Sequence, residues 1–274
     1  SAPAPLPAPT APATAAAAAT DLSSASAAQQ QPKTQEAQLD LFGTPEGSVD
    51  SASSNHFATV DPEDAGYASL ATTTHTYTFV QDSDGLDALI EALTDSSCFA
   101  FDTETTGLNT MTADLVGLSF ATAVGTAWWV PIASEDWTEV TLLERLGTIF
   151  SDSSKEAIAH HFKFDYKILA RRGVQFRCRA FDTMIAHYLI QPESSHKLDR
   201  LAETELGYAT MPITELIGKS GKDQKHMGQL DPASITDYAC EDADIAFQLR
   251  ERLAPQLEDV ASTALFWEVE MPLA

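Results

Sequence analysis

Before residue 76 large apolar side chains are sparse, and after it they return at regular spacing. Residues 77–80 alternate like a strand, 86–93 show helical spacing, and 98–104 form an apolar run that ends in two acids. Residues 113–121 and 126–132 read as strands around Gly125, and 140–150 as an amphipathic helix. A short buried strand over 157–160 precedes a helix over 164–170 that stops near Gly173. The stretches 181–190 and 198–206 read as helices with Pro192 between them. Asp231 followed by Pro232 supplies an N-cap and a first-position proline, opening a helix that runs to about residue 257. Strands first and helices interleaved later predict an α/β domain built on a mixed sheet.

Residues 1–72 have a different grain. The first twenty contain ten Ala and five Pro, and Ser, Gln, Thr, Asp and Gly follow. So little apolar surface cannot offset ordering entropy, so this segment reads as a disordered tether ahead of a folded domain at 73–260. One apolar island interrupts it, at Gln38, Leu39, Asp40, Leu41 and Phe42. The Ala-rich start lacks a basic region, so it is no convincing signal peptide, and no apolar run approaches a membrane span. Cys98, Cys178 and Cys240 show no paired spacing and fit a reducing compartment, so the expected location is cytoplasmic. The formal charge of −24 argues at first sight against a polyanionic partner. Lys33 is the sole basic residue before Arg145, so the imbalance is a general depletion of lysine, as a salty cytoplasm favours. In high salt long-range attraction to phosphate is screened anyway, so contact relies on metals and short-range packing, and the acidic charge does not exclude nucleic acid.

Asp102 and Glu104 stand two positions apart at the end of an apolar strand, so both face the same way. Adjacent carboxylates repel, and a hard divalent cation with oxygen ligands resolves the repulsion. A pair of solvated acids on a strand edge is the bland alternative. Tyr238 and Asp242 lie four apart on the last long helix and share a face. Asp165 follows a buried strand where a helix begins. Taken singly, each of these also reads as packing or as a surface charge.

Their order and contexts resemble one family. Phe-Asp-Thr-Glu-Thr-Thr-Gly-Leu at 101–108, His-Phe-Lys-Phe-Asp at 161–165, Phe-Asp-Thr-Met at 181–184 and Tyr-Ala-Cys-Glu-Asp-Ala-Asp at 238–244 are similar to the exonuclease motifs of the DEDDy superfamily, above all the 3'-to-5' exonuclease domain of bacterial DNA polymerase I. The resemblance spans roughly 74–258 and implies a ribonuclease H-like fold with a five-stranded mixed sheet flanked by helices. It implies that Asp102, Glu104, Asp165 and Asp242 hold two divalent cations, Mg²⁺ or Mn²⁺, and that Tyr238 orients the attacking water. It further implies that Leu108 packs on the terminal base and that His161 and Met227 lie along the substrate strand. Residues 261–274 resemble the start of that family's polymerase domain, so the expected chain is a piece of a longer enzyme with a polymerase domain in cis. The island at Gln38, Leu39, Leu41 and Phe42 resembles the peptide by which bacterial replication proteins dock on the sliding clamp.

The departures are specific. His161 stands where the family commonly has Asn, and Met227 where some members carry an aromatic residue. Lys219, Lys222 and Lys225 make a rare basic cluster, read as a strand contact through Lys222. Gly218-Lys219-Ser220 mimics the end of a phosphate loop, but Ile213 occupies the place of its first glycine. The expected function is release of deoxynucleoside monophosphates from single-stranded or frayed DNA 3' ends, the proofreading step of a DNA polymerase I. An RNase D-like 3'-5' exoribonuclease, or a catalytically weak scaffold or clamp-docking module, is the alternative.

Overall fold

The computed structural model describes residues 66–274; most of the expected tether, with the peptide at 38–42, lies outside the described residues. Six strands form one sheet: β2 (Thr76–Phe79), β3 (Cys98–Thr105), β4 (Leu115–Ala123), β5 (Thr126–Pro131), β6 (Glu156–Ala159) and β7 (Arg179–Asp182). Their order is β2-β5-β4-β3-β6-β7. Strands β3, β4 and β5 form an antiparallel meander, while β2, β6 and β7 join in parallel. The expectation of a five-stranded sheet is therefore corrected to six. Strand β2 extends the edge because Asp244 accepts hydrogen bonds from the Tyr77 hydroxyl and the Gly125 amide, each at 2.9 Å, which ties it beside the β4–β5 turn. A separate two-stranded pairing joins β1 (Ala68–Ser69) to β8 (Tyr208–Ala209).

Strand parity sorts the core into two layers. Phe99 and Phe101 of β3, with Leu118 and Phe120 of β4, face helices α1 (Ser83–Asp95), α2 (Glu139–Phe150) and α3 (Phe162–Ala170). Ala100, Ala121, Trp129 and Ile158 face the opposite way, toward α4 (Thr183–Ile190) and the long helix α7 (Thr236–Asp259). Helix α7 presents Ala239, Ala243 and Ala246, all buried, so its backbone comes close to the sheet. Gly117 serves the same layer: a Cβ there would overlap the Trp129 ring and lie 2.6 Å from the Val130 carbonyl oxygen.

Three elements differ from their sequence reading. Residues 181 and 182, expected to open a helix, complete β7, because Asp182 is the N-cap whose carboxylate accepts from Met184 and Ile185 amides. The helix expected over 198–206 is a single α-turn, α5 (Leu198–Leu201), followed by a π-turn at Ala202–Leu206 that ends on Gly207 in the left-handed region. Asp231 and Pro232 open a 3₁₀ turn, Pro232–Ile235, and α7 starts after it. Downstream of α7, Phe266 is buried against Phe181 and the Arg179 guanidinium lies 3.3 Å from the Trp267 ring centroid.

Candidate active site

On β3, Asp102 and Glu104 share the parity of Ala100 and so point toward α7, while Thr103 points toward α3. From α7 comes Asp242, one ligand oxygen of which lies with one from each of the other two inside a 4.8 Å span. Tyr238 stands one turn before Asp242 on the same face of α7, close enough for the Asp242 charge to act on its phenol. Asp165 arrives from the other layer. It sits in the first turn of α3, 2 % exposed, and accepts a 2.5 Å hydrogen bond from the Thr103 hydroxyl. Asp165 is outside the tight trio, and its carboxyl is raised well above the ordinary range by burial and then by the Asp102 charge.

Burial dominates the electrostatics, and the crowding of like charge adds to it at Glu104, Asp165 and Asp242. Burial raises the Asp102 carboxyl to about 6, eased by the Thr103 amide. Glu104 is raised well above the ordinary range by burial and then by the charges of Asp102, Asp242 and Asp165. Burial, followed by Asp102 and Glu241, does the same to Asp242. The Tyr238 phenol is pushed far up by burial and by Asp242, Glu104 and Asp102, so it stays protonated at neutral pH. Glu104 Oε1 is buried without a hydrogen-bond partner. An all-oxygen donor set with one carboxylate oxygen left bare fits a hard divalent cation.

The remaining residues singled out in sequence fall around this centre. Leu108 lies 58 % exposed on the turn that follows β3. Met227 is buried in a 3₁₀ turn, Met227–Gln229, where a Cβ added at Gly228 would come within 3.1 Å of Thr106 Cγ2. Met227 therefore packs inward, beside the β3 turn. Lys222 is exposed on the loop after the short helix α6 (Thr214–Ile217). His161, half-buried and stacked on Phe164, is the N-cap of α3 with φ 67° and ψ 49°. Asn tolerates that left-handed conformation best and His is among the next, so the exchange of Asn for His preserves the backbone.

Sequence reasoning passed over Asp182 and Thr103. Asp182, 1 % exposed, accepts from the amides of His161 and Phe162 as well as those of Met184 and Ile185, capping α3 and α4 with one carboxylate. Its signal was an acid-threonine pair at the end of a short apolar strand, which reads as an N-cap. The acids beside Asp242 have other tasks: Glu241 accepts from the Tyr208 hydroxyl at 2.7 Å and the Met211 amide at 2.6 Å.

The profile of a family described as 3'-5' exonuclease matches residues 77–258. The chain belongs to that exonuclease family. The exonuclease domain is 33 % identical over 207 residues to DNA polymerase I of Pseudomonas aeruginosa, covering 72 % of this chain and 23 % of that protein. It is 34 % identical over 200 residues to DNA polymerase I of Chloroflexus aurantiacus, covering 72 % and 21 %. The chain thus spans less than a quarter of the length of these curated relatives. Among solved structures, RNase D of Escherichia coli, an exoribonuclease involved in structured RNA processing, superposes with a TM-score of 0.56 at 17 % identity, over 72 % of this chain and 49 % of that one. That likeness identifies the mixed sheet and its helices as ribonuclease H-like. The exonuclease domain is a nuclease enzyme of the DNA polymerase I type, and its acidic cluster accords with the divalent-metal dependence general in the family. Among the described residues no helix is long and apolar enough to cross a membrane.

Proposed function

We propose that the exonuclease domain hydrolyses the last phosphodiester bond at a 3' end of single-stranded or frayed DNA, releasing deoxynucleoside monophosphates as the proofreading module of a DNA polymerase I. The observation that supports it is the convergence of Asp102, Glu104 and Asp242 within 4.8 Å, with Asp165 delivered through Thr103. These four carboxylates are the residues that hold two cations, Mg²⁺ or Mn²⁺. Cations held there supply the positive charge that makes water nucleophilic near neutral pH and that a departing oxygen needs. Tyr238, kept as a phenol beside Asp242, aligns the water by hydrogen bonding and does not take its proton. Leu108 offers an exposed apolar face to the terminal base, while Met227 backs the turn that carries Leu108. His161 and Lys222 contact the strand, and residues 38–42 dock on the sliding clamp in a cytoplasmic replication and repair setting. The DNA reading is preferred to RNA because the full-length relatives are DNA polymerases.

The test is release of mononucleotides from a 3'-labelled single DNA strand with Mg²⁺ or Mn²⁺, against EDTA and Asp102→Ala controls. Release by the wild type alone, lost in both controls, is expected. A matched RNA strand degraded faster than DNA would favour the exoribonuclease reading, and an inert wild type would favour a scaffold.

A further inference from the structure

Ser119 has no part in the site described so far. It lies on β4 directly opposite Asp102 of β3, between the pairs Ala100–Ala121 and Glu104–Gly117. Paired residues of an antiparallel ladder project to the same face, so Ser119 shares the α7-facing side with both acids. Directly opposed residues have Cβ atoms roughly 5 Å apart, a separation that a hydroxyl bridges by turning about χ1. The Ser119 side chain is fully buried, and its Oγ has no hydrogen-bond partner. A buried hydroxyl left unpaired costs about 1–3 kcal/mol. Ala121, two residues along on the same face, is equally buried and carries no polar side-chain atom. Among the described residues the other buried side-chain oxygen without a hydrogen-bond partner, Glu104 Oε1, belongs to the same patch of sheet.

We infer that Ser119 is a positioning residue for cation binding: its hydroxyl donates to the Asp102 carboxylate and aims the ligand oxygen at the cation. The inference rests on the proposed role of Asp102 as a ligand. With Asp102 turned toward a cation, a carboxylate lone pair not spent on the ion would accept from the Ser119 hydroxyl. Hydrogen bonds of this kind behind a ligand typically govern about ten- to a hundredfold in metal affinity.

The test separates holding the fold from holding the metal. Ser119→Ala and Ser119→Cys are compared with wild type by calorimetric titration of Mn²⁺ alone and by thermal melting in EDTA. Ser119→Ala is expected to weaken Mn²⁺ binding about tenfold while melting in EDTA at the wild-type temperature or above, because an unpaired hydroxyl has been removed. Ser119→Cys, nearly the same size with a weak S–H donor, falls between. Mn²⁺ affinity unchanged in Ser119→Ala overturns the inference, as does a weakened affinity accompanied by an equal loss of thermal stability. Should the alanine variant not fold, wild-type affinity in the cysteine variant overturns it as well. Asp102→Ala keeps the two readings apart. Loss of Mn²⁺ binding there with none in Ser119→Ala defeats the serine alone, whereas retention in Asp102→Ala defeats the ligand assignment on which both depend.

Discussion

Neutralising Asp102 should stabilise the metal-free domain while abolishing its chemistry. Burial raises this carboxyl from 3.8 to about 6. At roughly 1.4 kcal/mol per pKa unit, keeping it ionised inside the fold costs about 3 kcal/mol at neutral pH. The sign follows from proton counting. Between about pH 4 and 6 the native state holds the proton that the unfolded chain has released, so stability falls as pH rises through that window and stays low above it. Glu104 and Asp242 titrate in the same field, so the window belongs to the cluster. Asp102→Asn removes the ionisation, and a gain of about 2–3 kcal/mol is expected at pH 7.5 in EDTA, roughly 5–10 °C in Tm for a domain of this size. Near pH 4 the gain should vanish. Urea unfolding of both proteins across this range in EDTA measures it. A variant no more stable than wild type at pH 7.5, or a gain of equal size at pH 4, refutes the reasoning.

Other perturbations test separate parts of the structure. Tyr238→Phe should lower kcat roughly ten- to a hundredfold through misplaced water and leave the shape of the pH–rate profile unaltered; loss of an ionisation from that profile would make the phenol a base. Asp182→Ala strands four backbone amides at the starts of α3 and α4, a loss of about 3 kcal/mol or more in denaturant unfolding. Gly117→Ala drives a methyl into the Trp129 ring and should cost at least about 2 kcal/mol by thermal melting. His161→Asn keeps the left-handed backbone, so its Tm should match wild type, while a β-branched residue there, as in His161→Val, should lower it.

Parity and periodicity carried most of this domain. The alternation through 98–104 placed Asp102 and Glu104 on one face, and the four-residue step placed Tyr238 with Asp242, because both relations are local. What stayed hidden was long-range. Nothing in the run around Thr103 states that its hydroxyl meets an acid 62 positions later. Sheet edges are likewise poorly encoded: β2 joins through Asp244 on a distant helix, which no pattern around Tyr77 announces. Asp182 was legible as a capping residue, but the helical spacing that follows it drew the boundary too early. Met227, expected along the strand path, is buried, because a loop of polar residues carries no periodicity from which its inward turn could be read.

The alanines of α7 set a distance as well as a packing. With methyl-sized side chains at 239, 243 and 246, the helix axis is brought near enough for a short aspartate at 242 to meet two acids rooted in the sheet. Each added carbon on that stripe would widen the gap that an ion must bridge. The interior and the catalytic aperture therefore share one dimension, and drift in the first is drift in the second.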